Sequence, residues 1–335
     1  MAEKSRYEEK IERIRAGGYR KGDFIIADAK DADLSGGILT TGRRRDSTGK
    51  IIGNRNRQEF LAEIRALVEQ DVVDIMLAST SNLEVLSDEG IFRGSGVTPA
   101  FRANDTTDVW GIVRGGNYRE TPSQPFRATH LASAKAELCL YSITFNNDAA
   151  ADVVTLEAYR AFRSDVRTAG KKHFLEVFNP NMDLGFSPDE TGMYANDCII
   201  RTLAGLTKSE RPEFLKVAYN GPAALEELAA HDTSVVVGVL GGGGGTHLDT
   251  FELVNQAERF GTRLALFGRK INMAEHQPAF MTWMRAVADG NATPRDALRG
   301  YHADLEKYGL SPDRSIDDDL VISEEVLKAE AQPGR

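Results

Sequence analysis

Apolar positions along the chain gather into short continuous runs separated by longer amphipathic stretches. The runs are 24–28 (FIIAD), 73–78 (VDIMLA), 97–102 (VTPAFR), 137–145 (ELCLYSITF), 173–178 (HFLEVF), 213–218 (EFLKVA), 234–240 (SVVVGVL) and 263–267 (RLALF). Continuous apolar runs suit strands of a parallel sheet, which is covered on both faces. Between them the period changes to that of a helix. Segment 57–70 (RQEFLAEIRALVEQ) places Phe60, Ile64 and Leu67 on one face. Segments 152–170, 190–206, 222–231 and 246–261 repeat the pattern, and Gly170 and Gly261 fall where helices should stop. Eight strands joined by helices predict an α/β fold, a single closed (β/α)8 TIM barrel. A doubly wound open sheet is the alternative.

Three segments stand outside the alternation. A short helix precedes the first strand. Segment 104–127, with Gly115-Gly116, Pro122 and Pro125, predicts a long loop over one end of the barrel. From 291 onward come a charged helix (294–308), an acidic coil (315–319, SIDDD) and a short helix. The expected organisation is a barrel over 1–290, including the N-terminal helix, and a C-terminal helical tail over 291–335 that packs on a neighbouring subunit or, on the plainer reading, is solvated.

The chain has 335 residues, 41% hydrophobic and 27% charged, enough apolar material for a large core. A formal net charge of −9 argues against nucleic-acid binding, which needs clustered cations. The local basic run Arg43–Arg45 reads as a solvated or interface patch. No apolar stretch is long enough to span a bilayer, and the N-terminus is a charged helical segment unlike a secretory signal. The only cysteines, Cys139 and Cys198, form no CxxC motif. A cytoplasmic protein with no membrane partner is expected, assembled as a homo-oligomer.

In barrels of this kind the active site lies at the carboxyl ends of the strands. Asp28, Arg102, Glu176 and Lys216 are charged residues within or closing otherwise apolar runs, where charge is costly unless paired or used. Lys216 sits between Leu215 and Val217. Apolar surroundings favour the neutral amine that attacks a carbonyl, the requirement for a Schiff-base enzyme. The competing reading is a lysine that snorkels to solvent or neutralises a carboxylate. Glu176, one strand earlier, could hold the amine and shuttle protons, or form a structural ion pair. Asp28 reads as a second acid or a hydroxyl-orienting group, or as a cap of the following turn.

Gly241, Gly242 and Gly243 begin a five-glycine loop after the seventh strand, and Gly268-Arg269 follow the eighth. Glycines allow N–H groups to converge on an anion, Arg269 could clamp it, and loops after strands seven and eight are the frequent phosphate site of this fold. No lysine follows as in a P-loop, and the early βαβ context of a dinucleotide fingerprint is missing. The histidines are scattered, so no metal and no cofactor are expected; His130, His173 and His247 read as structural or substrate contacts.

EFLKVAYNGP resembles the strand that carries the Schiff-base lysine in class I aldolases of the tagatose-bisphosphate, archaeal-type fructose-bisphosphate and deoxyribose-phosphate aldolase superfamily. HFLEVF is similar to the glutamate-bearing fifth strand of the tagatose-bisphosphate branch, FIIADAKD to its first strand, and the glycine loop and FGRKI to its phosphate-binding ends. The resemblance runs from about Gly22 to Ile271. It implies a Schiff base on Lys216, proton transfer by Glu176, substrate orientation by Asp28, and phosphate binding by Gly241, Gly242, Gly243, Gly268 and Arg269. The chain departs from the family in lacking a lysine in strand four and in carrying Phe178 near the position of a strand-five tyrosine. Tyr141 and Tyr219 are offered in its place, with Arg102 and His247 as further substrate contacts. The resulting expectation is a metal-independent aldehyde-lyase acting on a phosphorylated ketose. The alternatives are a transaldolase or phosphosugar isomerase on the same barrel, or a non-catalytic barrel that binds a phosphorylated metabolite.

Overall fold

The computed structural model describes residues 4–46, 49–242 and 244–331. All eight apolar runs form strands: β1 (Ile25–Lys30), β2 (Ile75–Ala78), β3 (Thr98–Arg102), β4 (Leu138–Thr144), β5 (Lys172–Phe178), β6 (Leu215–Val217), β7 (Val237–Leu240) and β8 (Leu264–Phe267). Neighbours pair in parallel, and β1 pairs with both β2 and β8, so the sheet closes. Closure settles the architecture against the open sheet. Helices Arg57–Gln70, Ala149–Thr168, Pro188–Ala204, Pro222–His231 and His247–Arg259 occupy the amphipathic stretches. Two helices that the pattern did not single out, Thr80–Asp88 and Gln277–Ala288, join the outer ring, and the connection from β3 to β4 has no α-helix. No helix among the described residues is long and apolar enough to cross a membrane.

Alternation along each strand divides the chain into two apolar cores. Ile25, Ala27, Ala29, Ile75, Leu77, Leu138, Leu140, Phe174, Phe214, Leu264 and Leu266 turn inward and fill the barrel. Phe174 and Phe214 stack with ring centroids 4.4 Å apart. The residues between them face outward into the core shared with the helices. The N-terminal helix Arg6–Arg15, started by a Ser5/Glu8 capping box, adds Tyr7, Ile11 and Ile14 to the inner cluster. Tyr7 meets Phe214 edge-on, so this helix plugs the amino-terminal end of the barrel. The buried Asp74 carboxylate secures the plug, lying 2.9 Å from both Arg6 and Lys10 and 2.6 Å from Arg285. The opposite end is not covered by this helix.

The tail differs from the solvated segment that its charge suggested. Helix Pro294–Lys307 carries Leu298, Tyr301 and Leu305 on one face, and all three are fully buried against helices His247–Arg259 and Gln277–Ala288. Its charged residues occupy the other face, which is what masks the stripe in composition. Beyond it, Asp249 accepts hydrogen bonds from the backbone N–H groups of Ser323 and Glu324, and Gln256 donates to the Leu327 carbonyl.

Candidate active site

At the carboxyl-terminal mouth the inward positions change from apolar to polar. The same alternation that buries Phe174 and Phe214 brings Glu176 and Lys216 inward, and the β5–β6 register sets them side by side. Lys216 Nζ lies 2.5 Å from Glu176 Oε1. The β4–β5 register adds Ser142, whose hydroxyl donates to Glu176 Oε2 at 2.7 Å. Arg102, from the end of β3, donates to Ser142 Oγ at 2.8 Å and approaches Glu176 Oε2 at 3.4 Å. Its Nε lies 2.5 Å from Asp31, just past β1. The result is a chain of alternating charge, Asp31–Arg102–Glu176–Lys216, across the mouth. All four side chains are buried. Burial alone would lower the Arg102 pKa, but the surrounding carboxylates of Asp31, Glu176 and Asp105 outweigh it and raise the value, so the guanidinium stays a fixed cation.

This network forms the floor of a cavity of about 410 Å³. One wall comes from the 104–127 segment, which lies over this end as its length suggested. It is pinned by the antiparallel pair Asn104–Thr106 and Pro125–Arg127, and presents Asp108, Gly111, Ile112 and Arg119 to the cavity. The opposite wall comes from β7 and β8. Gly241, Gly242, Gly268 and Arg269 all line it; Gly243 lies outside the described residues. Two of these glycines are required by space. A Cβ on Gly241 would fall 2.6 Å from the Phe267 ring, and one on Gly268 would fall 2.8 Å from the Ala29 carbonyl oxygen. Gly242 has φ +59°, a conformation costly for any residue with a Cβ. Arg119 and Arg269 are both exposed to the cavity, and neither has an ion-pair partner among the described residues. An anion entering here finds free guanidinium groups.

Of the residues singled out in the sequence, Lys216, Glu176, Arg102, Gly241, Gly242, Gly268 and Arg269 come together. Four do not. Asp28 lies on the outward parity of β1, between the barrel wall and the helices, where its carboxylate is 3.0 Å from Lys30 and fully buried. Burial pushes its pKa up to about 6 against the pull of that lysine, and Lys30 is fixed in turn by Asn272 and Gln277. The acid from the β1 end that reaches the cavity is Asp31. Tyr141 also faces outward, stacked on Phe162 at 4.1 Å. Tyr219 donates to Gln256 in the helical layer, and His247 is held by the tail. No tyrosine, histidine or cysteine is found among the described cavity-lining residues. The basic run is neutralised outside the cavity, with Arg43 and Arg45 on Asp313 and Arg44 on Glu59.

Ser142 and Asp31 went unnoticed in the sequence although a signal was present. Each lies on the inward parity of its strand, read from Leu140 and Ala29 respectively. Arg119 offers no such signal, since a long loop carries no period.

No protein-family model and no curated protein sequence matches the chain. Solved structures do. An archaeal fructose 1,6-bisphosphate aldolase superposes with a TM-score of 0.59 over 85% of this chain and 99% of its own, at 14% identity. The fructose-bisphosphate aldolase of Slackia heliotrinireducens gives 0.61 over 89% and 90%, at 10% identity. The fold is shared with these aldolases. A Corynebacterium glutamicum protein, Cgl0159, gives 0.57 over 85% and 98%, at 17% identity.

Proposed function

We propose that this protein is a class I aldolase, a metal-independent lyase that makes or breaks a carbon–carbon bond of a phosphorylated ketose through a Schiff base on Lys216. The observation that carries the reading is the Lys216 amine on the cavity floor, 2.5 Å from the Glu176 carboxylate and above the apolar cluster inside the barrel. In the cleavage direction the amine adds to the substrate ketone, and the carbinolamine loses water to give an iminium. A base then removes the proton of the hydroxyl on the far carbon of the bond to be broken. The aldehyde departs, and the bonding electrons pass into the iminium as an enamine. Protonation of the enamine and hydrolysis return ketone and free amine. Glu176 is the group suited to exchanging protons with the nitrogen. Ser142, and Arg102 at 3.4 Å, hold its second oxygen, and Asp31 is an acid in reach of the cavity for the hydroxyl. Gly241, Gly242, Gly268 and Arg269 form the wall suited to the phosphate.

A second reading rests on the same pair: Lys216 as a buried counter-ion of Glu176 in a barrel that binds phosphorylated metabolites without turnover. Borohydride separates them. With dihydroxyacetone phosphate or a panel of ketose phosphates, the aldolase reading gives a reduced adduct whose mass shift maps to Lys216. Protein left unmodified by every member of the panel would leave the binding role.

A further inference from the structure

His247, expected near substrate, opens helix His247–Arg259 on the side away from the cavity and meets the tail instead. Its Nδ1 is 2.7 Å from Asp319 Oδ2, and the same oxygen is 2.9 Å from Nε2 of His302 on helix Pro294–Lys307. Three donor atoms from three elements thus converge within 4.8 Å of one another. The other nitrogen of His247, Nε2, faces Glu275 Oε2 at 3.3 Å. Glu275 is itself fixed by the Tyr301 hydroxyl at 2.9 Å and by the Asp313 backbone N–H at 2.7 Å. Asp319 and Glu275 are both buried.

Unless His247 is an imidazolium, the proton count at this cluster is short. A neutral imidazole has one N–H, yet His247 faces a carboxylate oxygen at each nitrogen. Two buried carboxylates also call for positive charge, and the guanidinium of Arg314 stands 3.9 Å from Asp319 Oδ1, beyond hydrogen-bond reach. A divalent cation on His247 Nδ1, His302 Nε2 and Asp319 Oδ2 answers both demands. It supplies the charge and leaves the His247 Nε2–H to donate to Glu275, the carboxylate–histidine–metal arrangement that fixes a ligand's tautomer. Two imidazoles and one carboxylate suit zinc or a neighbouring first-row ion, with a fourth position for water. Bonds of about 2.0–2.1 Å set tetrahedral donors about 3.3 Å apart. The two nitrogen–Asp319 separations therefore need to open by about 0.4–0.6 Å, and the two imidazole nitrogens already lie within 4.8 Å of each other.

We propose that His247, His302 and Asp319 form a divalent transition-metal site of the zinc class, which fastens the tail to the barrel. It lies outside the catalytic cavity and stands whether or not Lys216 forms a Schiff base.

The test uses full-length protein stripped with chelator and titrated with Zn²⁺ in a calorimeter. The expected result is one ion per chain, bound at micromolar concentration or tighter. His302→Ala should weaken uptake by about 100-fold or more, and Glu275→Gln by about 10–100-fold, the usual effect of losing a group behind a ligand. Hydrogen exchange across 315–328 should slow when Zn²⁺ is added to the wild type. Co²⁺ should give the visible absorption of a four-coordinate nitrogen–oxygen site, a readout that needs no variant. Absence of saturable uptake by the wild type would overturn the proposal, as would uptake undiminished in His302→Ala, which would mark adventitious binding.

Discussion

Glu176 and Lys216 face each other in register on adjacent strands, and the carboxylate has both oxygens engaged: Oε1 by the lysine, Oε2 by Ser142 and Arg102. To accept a proton in turnover, Oε1 must be released as the amine becomes an iminium. Glu176→Gln keeps the size and hydrogen-bonding capacity of the side chain and removes its proton exchange. Turnover should fall by about 10²–10⁴ across the whole pH–rate profile, with borohydride trapping retained. Recovery to near the wild-type rate at any pH would reduce Glu176 to an ion-pair partner.

Lys216→Met should abolish turnover and leave the barrel folded. Met fills a similar volume without an amine, and Glu176 keeps Ser142 and Arg102 as partners. Circular dichroism alongside an aldol-cleavage assay checks both halves. A folded variant that still turns over excludes the covalent route.

Arg269→Ala should raise KM for phosphorylated substrates more than for unphosphorylated analogues. Loss of one charge-assisted contact is worth about 1.5–3 kcal/mol, roughly one to two decades in binding. An equal effect on both substrate classes would remove Arg269 from the phosphate site.

Asp28 and Lys30 give a contrasting expectation, because they are paired in a dry layer behind β1. Asp28→Asn strands the Lys30 charge and should cost about 3–5 kcal/mol in denaturant unfolding, with turnover per folded molecule little changed. The double variant Asp28→Leu/Lys30→Met should recover much of that loss. Full stability with abolished turnover would instead return Asp28 to the chemistry.

Asp74 sets an acid limit on stability. Burial alone would raise its pKa, but Arg285 and Lys10 outweigh burial and hold the value below the usual carboxylate range. Its contribution is therefore fully present above the unfolded value of about 3.9 and is lost as pH falls through the lower folded value. Unfolding free energy measured from pH 6 downward should drop in that window, and less steeply in Asp74→Asn.

The barrel was legible because its signal is local: eight apolar runs separated by longer stretches, each run turning into a strand. Closure follows from their number. Lys216 and Glu176 were legible for the same reason, as charges inside apolar runs. Asp28 stood out just as clearly and belongs to the other face of its strand. A charge in an apolar run says that the charge is paired, and only parity says on which side. Asp31 and Ser142 needed that second step, carried from one strand to the next through the register. The tail contacts were beyond reach because they join residues about 75 positions apart, such as His247 with Asp319, and nothing in either segment alone specifies the other.

That separation bears on how the molecule comes into being. Gly244 is braced through Lys270, whose amine also holds Glu324, and Asp249 at the start of the adjoining helix receives Ser323. A chain leaving the ribosome has its strands and its lysine in hand well before residues 319–327 appear. The barrel and the Lys270 contact to Gly244 can form first, but the carboxylate that holds that lysine arrives only with the last turns of the chain. The cavity wall after β7 and β8 is thus the part whose supporting contacts are completed last during synthesis.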